Sequence, residues 1–302
     1  MNNTGIIIGV CLAAFVAATA SSCRTSGSKD IETGINQYDD STAHSKLAVK
    51  AELPLSGKGA AADRIRESLI EVMDGQLSHI GTYEEDRLFP SFDGNAEDTD
   101  ALLKYYCGNA LETIGRLSQE DYDERVASIE GNEDLTETEK EEILDGMPGW
   151  EYSFSLLKSR ETDRYVVFLS EDYVYLGGAH GGIIGRGPMT FDKKDGSLVE
   201  RFLELSCLDA IQPLLRKGLS DYFSEGGMEV SQEGLDDILS LESDSVPLPA
   251  WPPFPSEDGL VFTYQQYEIA AYAAGMPNFT VPYGDILPYL TQEAKGLLDL
   301  KD

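Results

Sequence analysis

The sequence is poor in basic residues. Its 302 residues include 23 Lys plus Arg against 54 Asp plus Glu, which gives a formal net charge of −31. A protein that binds nucleic acid through phosphates needs clustered cations, so that class is excluded. This charge repels anionic lipid headgroups and speeds encounter with cationic partners, although solubility alone is a second explanation. Because 41% of the residues are hydrophobic, the chain can bury a core and carry its acidity on the surface.

The common catalytic and metal-binding motifs are also missing. The sequence contains no His-Glu-x-x-His, Gly-x-Ser-x-Gly, Walker-type or Cys-x-x-Cys pattern. Of its three histidines, only His180 has an unusual context, because glycines around it permit close approach of another backbone. A structural turn, a partner contact and catalysis are the alternatives for His180. The sequence therefore predicts no catalytic residue, no metal ion and no cofactor.

Only one long apolar run occurs, over residues 5–20, and it is shorter than the roughly 20 residues of a spanning helix. It ends in small residues, which indicates a secretory signal peptide over 1–22. The following Cys23 resembles the cysteine of a bacterial lipobox, which carries the lipid after cleavage. An ordinary signal peptide with Cys23 as a free thiol is the alternative. We expect an exported envelope lipoprotein, on the outer membrane or cell surface, that meets the membrane only through its lipid anchor.

Residues 23–45 are rich in Ser, Thr, Gly and Asp and lack apolar periodicity. This composition predicts a flexible tether, with the folded part beginning near Lys46.

Cysteine is scarce, with four in the chain. If Cys11 is removed and Cys23 is lipidated, Cys107 and Cys207 are left as a possible pair. A disulfide between them would stabilise the fold in an oxidising compartment. However, Cys107 lies on the apolar side of a predicted helix, where a buried free thiol packs equally well, so both alternatives stay open.

Apolar periodicity beyond residue 46 predicts both helices and strands. Helical spacing recurs over 60–80, 98–117, 136–145, 208–223, 231–241 and 283–298. Aromatic and β-branched runs predict strands over 47–55, 150–158, 164–176, 188–192, 259–264 and 279–282. We expect an α+β fold with an antiparallel sheet and helices packed on one face. The change of character at Pro148 separates an N-terminal α+β region, 46–150, from the region 151–302, and leaves open a fold of two lobes.

Two stretches resemble one family of extracytoplasmic domains. Residues 175–181, YLGGAHG, are followed by Phe191-Asp192 and an Asp195-Gly196 turn. Residues 258–287 contain a strand, a Tyr-Glu-Ile-Ala segment, an Ala-Gly step and an apolar-Pro-Tyr strand that enters a helix. Together they resemble the RsiV-like domain, over about residues 165–290.

The resemblance implies a non-catalytic domain that meets the cell wall or its enzymes, since RsiV is a receptor for lysozyme. The preceding region, 46–150, is similar in outline to a small domain that also occurs in front of some peptidoglycan deacetylases. RsiV has a cytoplasmic segment and a membrane span before this domain, and the deacetylases have an additional catalytic domain; we recognise neither in this sequence. We therefore expect only binding to carry over.

Candidate partner contacts are His180, Trp251, Tyr267, Tyr272 and Tyr283, because Tyr and Trp supply rigid contact area. The alternative for the aromatic residues is a place in the core. The expected partner is a lysozyme-like or other cationic envelope protein, or peptidoglycan. The competing hypothesis is an enzyme that acts on wall glycan through paired carboxylates, which so acidic a sequence neither singles out nor excludes.

Overall fold

The structure is a computed structural model and describes residues 30–80, 87–178, 181–224, 230–241, 243 and 245–301. The predicted signal peptide, Cys23 and His180 lie outside the described residues. Within the described part of the chain, no helix has both the length and the apolar character needed to cross a membrane.

The described chain begins with a β-hairpin. Strand β1 (Thr33–Ser41) pairs antiparallel with β2 (Ser45–Pro54) along its whole length. The prediction of a flexible tether over 23–45 is therefore wrong from Thr33 onward. Strand β1 lies at the edge of its sheet, where little of either face is buried, so its sequence shows no apolar alternation.

Three helices follow: α1 (Ala60–His79), α2 (Thr99–Glu130) and α3 (Glu137–Asp145). The helices predicted over 60–80 and 136–145 are confirmed. Helix α2 runs well past its predicted end at residue 117, because Ser118 is its last buried residue and the remaining turns carry no apolar stripe.

The next three strands complete the main sheet. They are β3 (Trp150–Glu161), β4 (Tyr165–Tyr175) and β5 (Ile183–Asp192). The strand order is β1-β2-β3-β4-β5, with β2 and β3 parallel and the other neighbours antiparallel. Since residue 150 begins β3, the predicted boundary between 46–150 and 151–302 falls between two paired strands of one sheet. The α+β fold class is confirmed.

The C-terminal part adds helices and a small second sheet. Its elements are α4 (Leu208–Ser224), α5 (Gln232–Ile238), β6 (Phe254–Pro255), β7 (Gly259–Thr263), β8 (Asn278–Pro282), α6 (Tyr283–Ile286) and α7 (Gln292–Leu298). Strand β7 pairs antiparallel with both β6 and β8. The single helix predicted over 283–298 is wrong, because a tight turn with Pro288 and an extended Leu290 separate α6 from α7.

Two hydrophobic cores share β4. Val166 and Phe168 pack with α1, α2 and β2 in the first core. Tyr165 and Val167 pack with α4, β7 and β8 in the second. Successive side chains of a strand point to opposite faces of a sheet, so the two cores lie on opposite sides of β4.

The cysteine alternatives are decided by these cores. Cys107 lies in the first core and Cys207 in the second, and both are free. A Cys107–Cys207 disulfide is therefore wrong, because the sheet stands between the two thiols. Burial raises the pKa of the Cys107 thiol to about 12, so it packs as a small neutral side chain.

Candidate functional site

The glycines of β5 and of the turn before it lie against aromatic rings. A Cβ at Gly182 would collide with the ring of Tyr173, and one at Gly181 would lie 2.6 Å from the Tyr272 hydroxyl. A Cβ at Gly187 would meet the indole of Trp251 at 3.6 Å and the Ser170 hydroxyl at 2.7 Å. Glycine therefore lets aromatic side chains approach the strand itself. We call Tyr173, Trp251, Tyr267 and Tyr272 the aromatic surface.

Two glutamines hold the segment after β7 against the edge of β5. Ile184 N donates to Gln266 Oε1 at 2.8 Å, and Arg186 N donates to Gln265 Oε1 at 2.8 Å. Gln265 Nε2 returns a bond to the Arg186 carbonyl at 3.0 Å. Side-chain amides thus satisfy the edge of β5 where a further strand would otherwise pair. The second stretch that carries the family resemblance, 258–287, thus contacts the strand that follows the first, 175–181.

Glu268 orders two parts of the aromatic surface at once. Its carboxylate accepts hydrogen bonds from Gln265 N at 2.7 Å and from Ala250 N at 2.6 Å. The first bond fixes the turn that carries Tyr267, and the second fixes the loop that carries Trp251. Gln265, Gln266 and Glu268 are not predictable from sequence, because an amide or carboxylate that bonds a distant backbone group has no fixed spacing.

Trp251 and Tyr267 project to solvent. Trp251 is 42% exposed and Tyr267 is 60% exposed. Tyr267 has φ 66°, a left-handed backbone that a bulky residue adopts only when its surroundings impose it. The ring of Tyr272 lies 5.7 Å from that of Tyr267, and its hydroxyl donates to the Gly182 carbonyl at 2.9 Å. The structure therefore brings three of the candidate residues onto one rigid surface.

Tyr283 does not join this surface. Its hydroxyl donates to the Ser256 carbonyl at 3.0 Å, and it interacts with Tyr165 and Arg160. Burial is the main cause that raises the pKa of Tyr283 above its usual value. Tyr165 begins β4 whereas Tyr173 lies near its end, roughly 27 Å away at the rise of an extended strand. Tyr283 consequently supports the second core.

A strongly acidic pair of helices lies beside the β4–β5 turn. Residues 119–145, the second part of α2 and α3, contain 12 acidic and 2 basic side chains and no fully buried residue. Both cations are engaged within it, since Arg125 pairs with Asp121 and Lys140 pairs with Glu137 at 3.1 Å. We call residues 119–145 the acidic hairpin.

Hydrogen bonds join the acidic hairpin to the main sheet. Arg125 donates to the Gly177 carbonyl at 3.2 Å, just after β4. The Trp150 indole, at the start of β3, donates to Asp121 Oδ2 at 2.9 Å. The acidic hairpin therefore contacts the residue Gly177 just after β4, and Tyr272 contacts Gly182 just before β5.

The carboxylates of this region do not form a facing pair. Glu171 bonds Arg186 through the Nε at 3.0 Å, whereas Asp172 lies against Gly185 on the other face of β4. Burial raises the pKa of Asp172 above its usual value, and the neighbouring Glu171 charge adds to the effect. Within the described residues, no group of three or more His, Cys, Asp or Glu side chains could hold a metal ion.

A groove of about 470 Å³ lies at the other end of β4 and β5. Its lining includes Asp163, Arg164, Asp192, Lys194 and Glu293, and it contains no residue of the aromatic surface. Arg164 is fixed in its wall by bonds to the Gly296 carbonyl at 2.7 Å and to Asp299 at 2.8 Å.

The aromatic surface lies largely within a stretch that resembles a known domain family. Residues 208–284 match the family model described as protein of unknown function, DUF3298. This DUF3298 region runs from α4 into α6 and contains Trp251, Tyr267 and Tyr272. It lies inside the range over which the sequence resembles RsiV-like domains, and that finer resemblance stays a prediction.

Two solved structures resemble the chain over most of its length. A DUF3298 family member from Bacteroides fragilis NCTC 9343 has a TM-score of 0.64 at 17% identity and covers 91% of this chain and 99% of its own. A DUF3298 family protein from Pseudomonas aeruginosa PAO1 has a TM-score of 0.53 at 12% identity and covers 88% and 97%. At these identities the likeness shows the fold alone. A search of curated proteins gives no match.

Proposed function

We propose that the protein is a binding module of the bacterial envelope, anchored by a lipid at Cys23, that captures a cationic wall-active protein of the lysozyme type. The observation that supports this proposal is that the acidic hairpin and Tyr272 contact the two ends of the connection between β4 and β5, at Gly177 and at Gly182. The acidic hairpin supplies a net charge of −10 within 27 residues, about a third of the net charge of the chain.

The two surfaces supply different parts of recognition. Clustered carboxylates speed the encounter with a basic protein and suppress anionic partners. Exposed Trp and Tyr side chains are the residues most often found as energetic anchors of interfaces, and Lys or Arg also bind to their ring faces. Because Glu268 and the two glutamines fix the aromatic surface in advance, binding costs little ordering of the protein.

We expect a basic lysozyme to bind with a micromolar dissociation constant at about 50 mM salt and more weakly at about 200 mM, since surface charges are screened over that range. Trp251→Ala and Tyr267→Ala should each weaken binding by about tenfold or more, as anchor residues do. Isothermal titration calorimetry measures both effects.

Leu205→Ala is the matched control, because Leu205 is an exposed hydrophobic residue, at 69%, outside both surfaces. The lysozyme proposal is wrong if lysozyme does not bind at micromolar concentrations, or if its dissociation constant does not change with salt concentration. A parallel titration with peptidoglycan fragments tests the other partner class, and binding there alone would identify the glycan as the ligand.

A further inference from the structure

Among the described residues, strand β1 is an edge of the main sheet and pairs with β2 alone. Hydrogen bonds beyond both ends of the β1–β2 ladder show which backbone groups point away from β2. Leu55 N donates to Glu32 O at 2.8 Å, and Thr42 N donates to Ser45 O at 2.9 Å. Hydrogen-bonded pairs alternate along an antiparallel ladder, so the even-numbered residues of β1 bond to β2. The N–H and C=O groups of the odd-numbered residues consequently point outward.

These outward groups form a regular row. Thr33, Ile35, Gln37 and Asp39 each present one N–H and one C=O, and no described strand pairs with them. At Ser41 the outward N–H donates instead to Asp40 Oδ1 at 2.8 Å, which closes the row. Three of the usual devices that protect an edge are missing, because β1 contains neither proline nor lysine and pairs with β2 without a bulge, whereas its charged residues, Asp39 and Asp40, are acidic.

The side chains of β1 and of the residues just before it carry only negative charge, and Lys58 pairs with one of them, Glu32, at 2.7 Å. Residues 30–41 contain four carboxylates, Asp30, Glu32, Asp39 and Asp40, and no cation. Just beyond the strand, the rings of His44 and Tyr122 stack at 3.7 Å, which places the start of the acidic hairpin next to the end of β1. From there the acidic hairpin runs toward the start of β3 and the end of β4, so the carboxylates nearest an added strand are those of β1 itself.

We propose that β1 accepts an extended segment of a partner protein, rich in lysine or arginine, as a sixth strand of the sheet. The outward backbone groups bind the main chain of that segment, and the carboxylates select its cationic side chains. A second copy of this chain is a poor occupant, because it brings two molecules of net charge −31 into contact. The proposal goes beyond the proposed function, since no residue of the aromatic surface takes part.

The first test uses amide hydrogen exchange by NMR and a peptide of about eight residues that alternates lysine and valine, with both ends blocked. In the free protein, we expect the amides of Ile35, Gln37 and Asp39 to exchange fast and those of Asn36 and Tyr38 to be protected. The peptide should slow exchange at the three odd-numbered amides by about tenfold or more. The same peptide N-methylated at alternate residues, and a glutamate-valine peptide, should leave exchange unchanged.

The second test is Gln37→Pro, which removes one outward N–H. Proline is tolerated at an edge where the lost N–H faces solvent, so the ladder to β2 stays intact. We expect Gln37→Pro to weaken peptide binding by about tenfold while Gln37→Ala, the matched control, keeps it. Thermal unfolding of both variants checks the fold, and the N-methylated peptide gives the same test on the unaltered protein.

Unchanged exchange in β1, or equal affinity for the N-methylated peptide, overturns the proposal. So does peptide binding that Trp251→Ala abolishes, because the peptide would then occupy the aromatic surface. Protection of β1 by the peptide together with failure to bind lysozyme would keep this proposal and end the lysozyme one.

Discussion

Glu171 and Asp172 are neighbours in β4, but their side chains have different surroundings. Glu171 has Arg186 as a partner, whereas Asp172 is partly buried against Gly185 and its pKa is raised by that burial. For Asp172 the folded-state pKa lies above the unfolded one, so the charged carboxylate opposes folding at neutral pH. The opposition disappears as pH falls through the folded-state pKa.

We therefore expect Asp172→Asn to raise the melting temperature at pH 7. The gain should shrink with acidification and vanish below the unfolded-state pKa of about 3.9. Thermal unfolding followed by circular dichroism at several pH values measures this trend. Glu171→Gln is the control, since it removes a pair that is partly exposed and should lower the melting temperature slightly or not at all. A gain for Asp172→Asn that grows in acid would contradict the assignment.

Among single residues, conspicuous side chains could be predicted from the sequence, whereas side chains whose role depends on a distant hydrogen-bond partner could not. Trp251, Tyr267 and Tyr272 could be singled out because aromatic residues in a proline-rich or turn-rich stretch are conspicuous. Gln265 and Glu268 could not be singled out in this way, because they bond backbone groups that only the fold brings near them. Tyr283 was indistinguishable in sequence from the exposed tyrosines until its bond to Ser256 was known.

Among the elements, α3 depends most on its own ends. Thr136 and Glu139 form a reciprocal capping box at its start, and no residue of α3 is buried. Hydrogen bonds from Thr136 are the main cause that lowers the pKa of the Glu139 carboxyl. Its stability is therefore set by local bonds and by contact with α2 rather than by a core.

We expect Thr136→Ala to destabilise α3 by about 1 kcal/mol and to leave the global melting temperature unchanged. Hydrogen exchange should become faster for the amides of α3 alone. Asp134→Ala is the matched control, because Asp134 lies two residues before the cap Thr136 and does not cap the helix. Faster exchange throughout α1 and α2 would show instead that α3 supports the core.

Elements with a buried stripe were predictable, and elements without one were not. The apolar spacing of α1 and α4 marked both helices because each packs one face on a core. Strand β1 and the last turns of α2 gave no such signal, since they border solvent. The break between α6 and α7 lies at Leu290, whose backbone is extended, two residues after Pro288, which has no N–H for a helical hydrogen bond.

At the scale of the whole molecule, β4 belongs to both cores. Phe168 and Phe262 are both fully buried, the first in the core under α1 and α2 and the second in the core around β7. Loss of either core would leave one face of β4 uncovered, so neither core is expected to persist alone.

Phe168→Ala and Phe262→Ala should each destabilise the protein by about 3–5 kcal/mol, the usual cost of such a truncation in a packed core. Each variant should still unfold in a single transition that tertiary and secondary probes report at the same temperature. Circular dichroism in the near and far ultraviolet measures this. A second transition that only one substitution displaces would show two independently folding parts.

The parallel pairing of β2 with β3 also determines the order in which the strands of the main sheet can pair during folding. Lys46 lies opposite Glu151, its partner 105 residues later in the chain, and everything from α1 to α3 must be made in between. Contacts so distant in sequence slow folding, because the loop between them must close before they contribute. During synthesis, the β1–β2 hairpin therefore has two unpaired edges until β3 has been made. In that interval, this hairpin is the part of the nascent chain most exposed to misassembly.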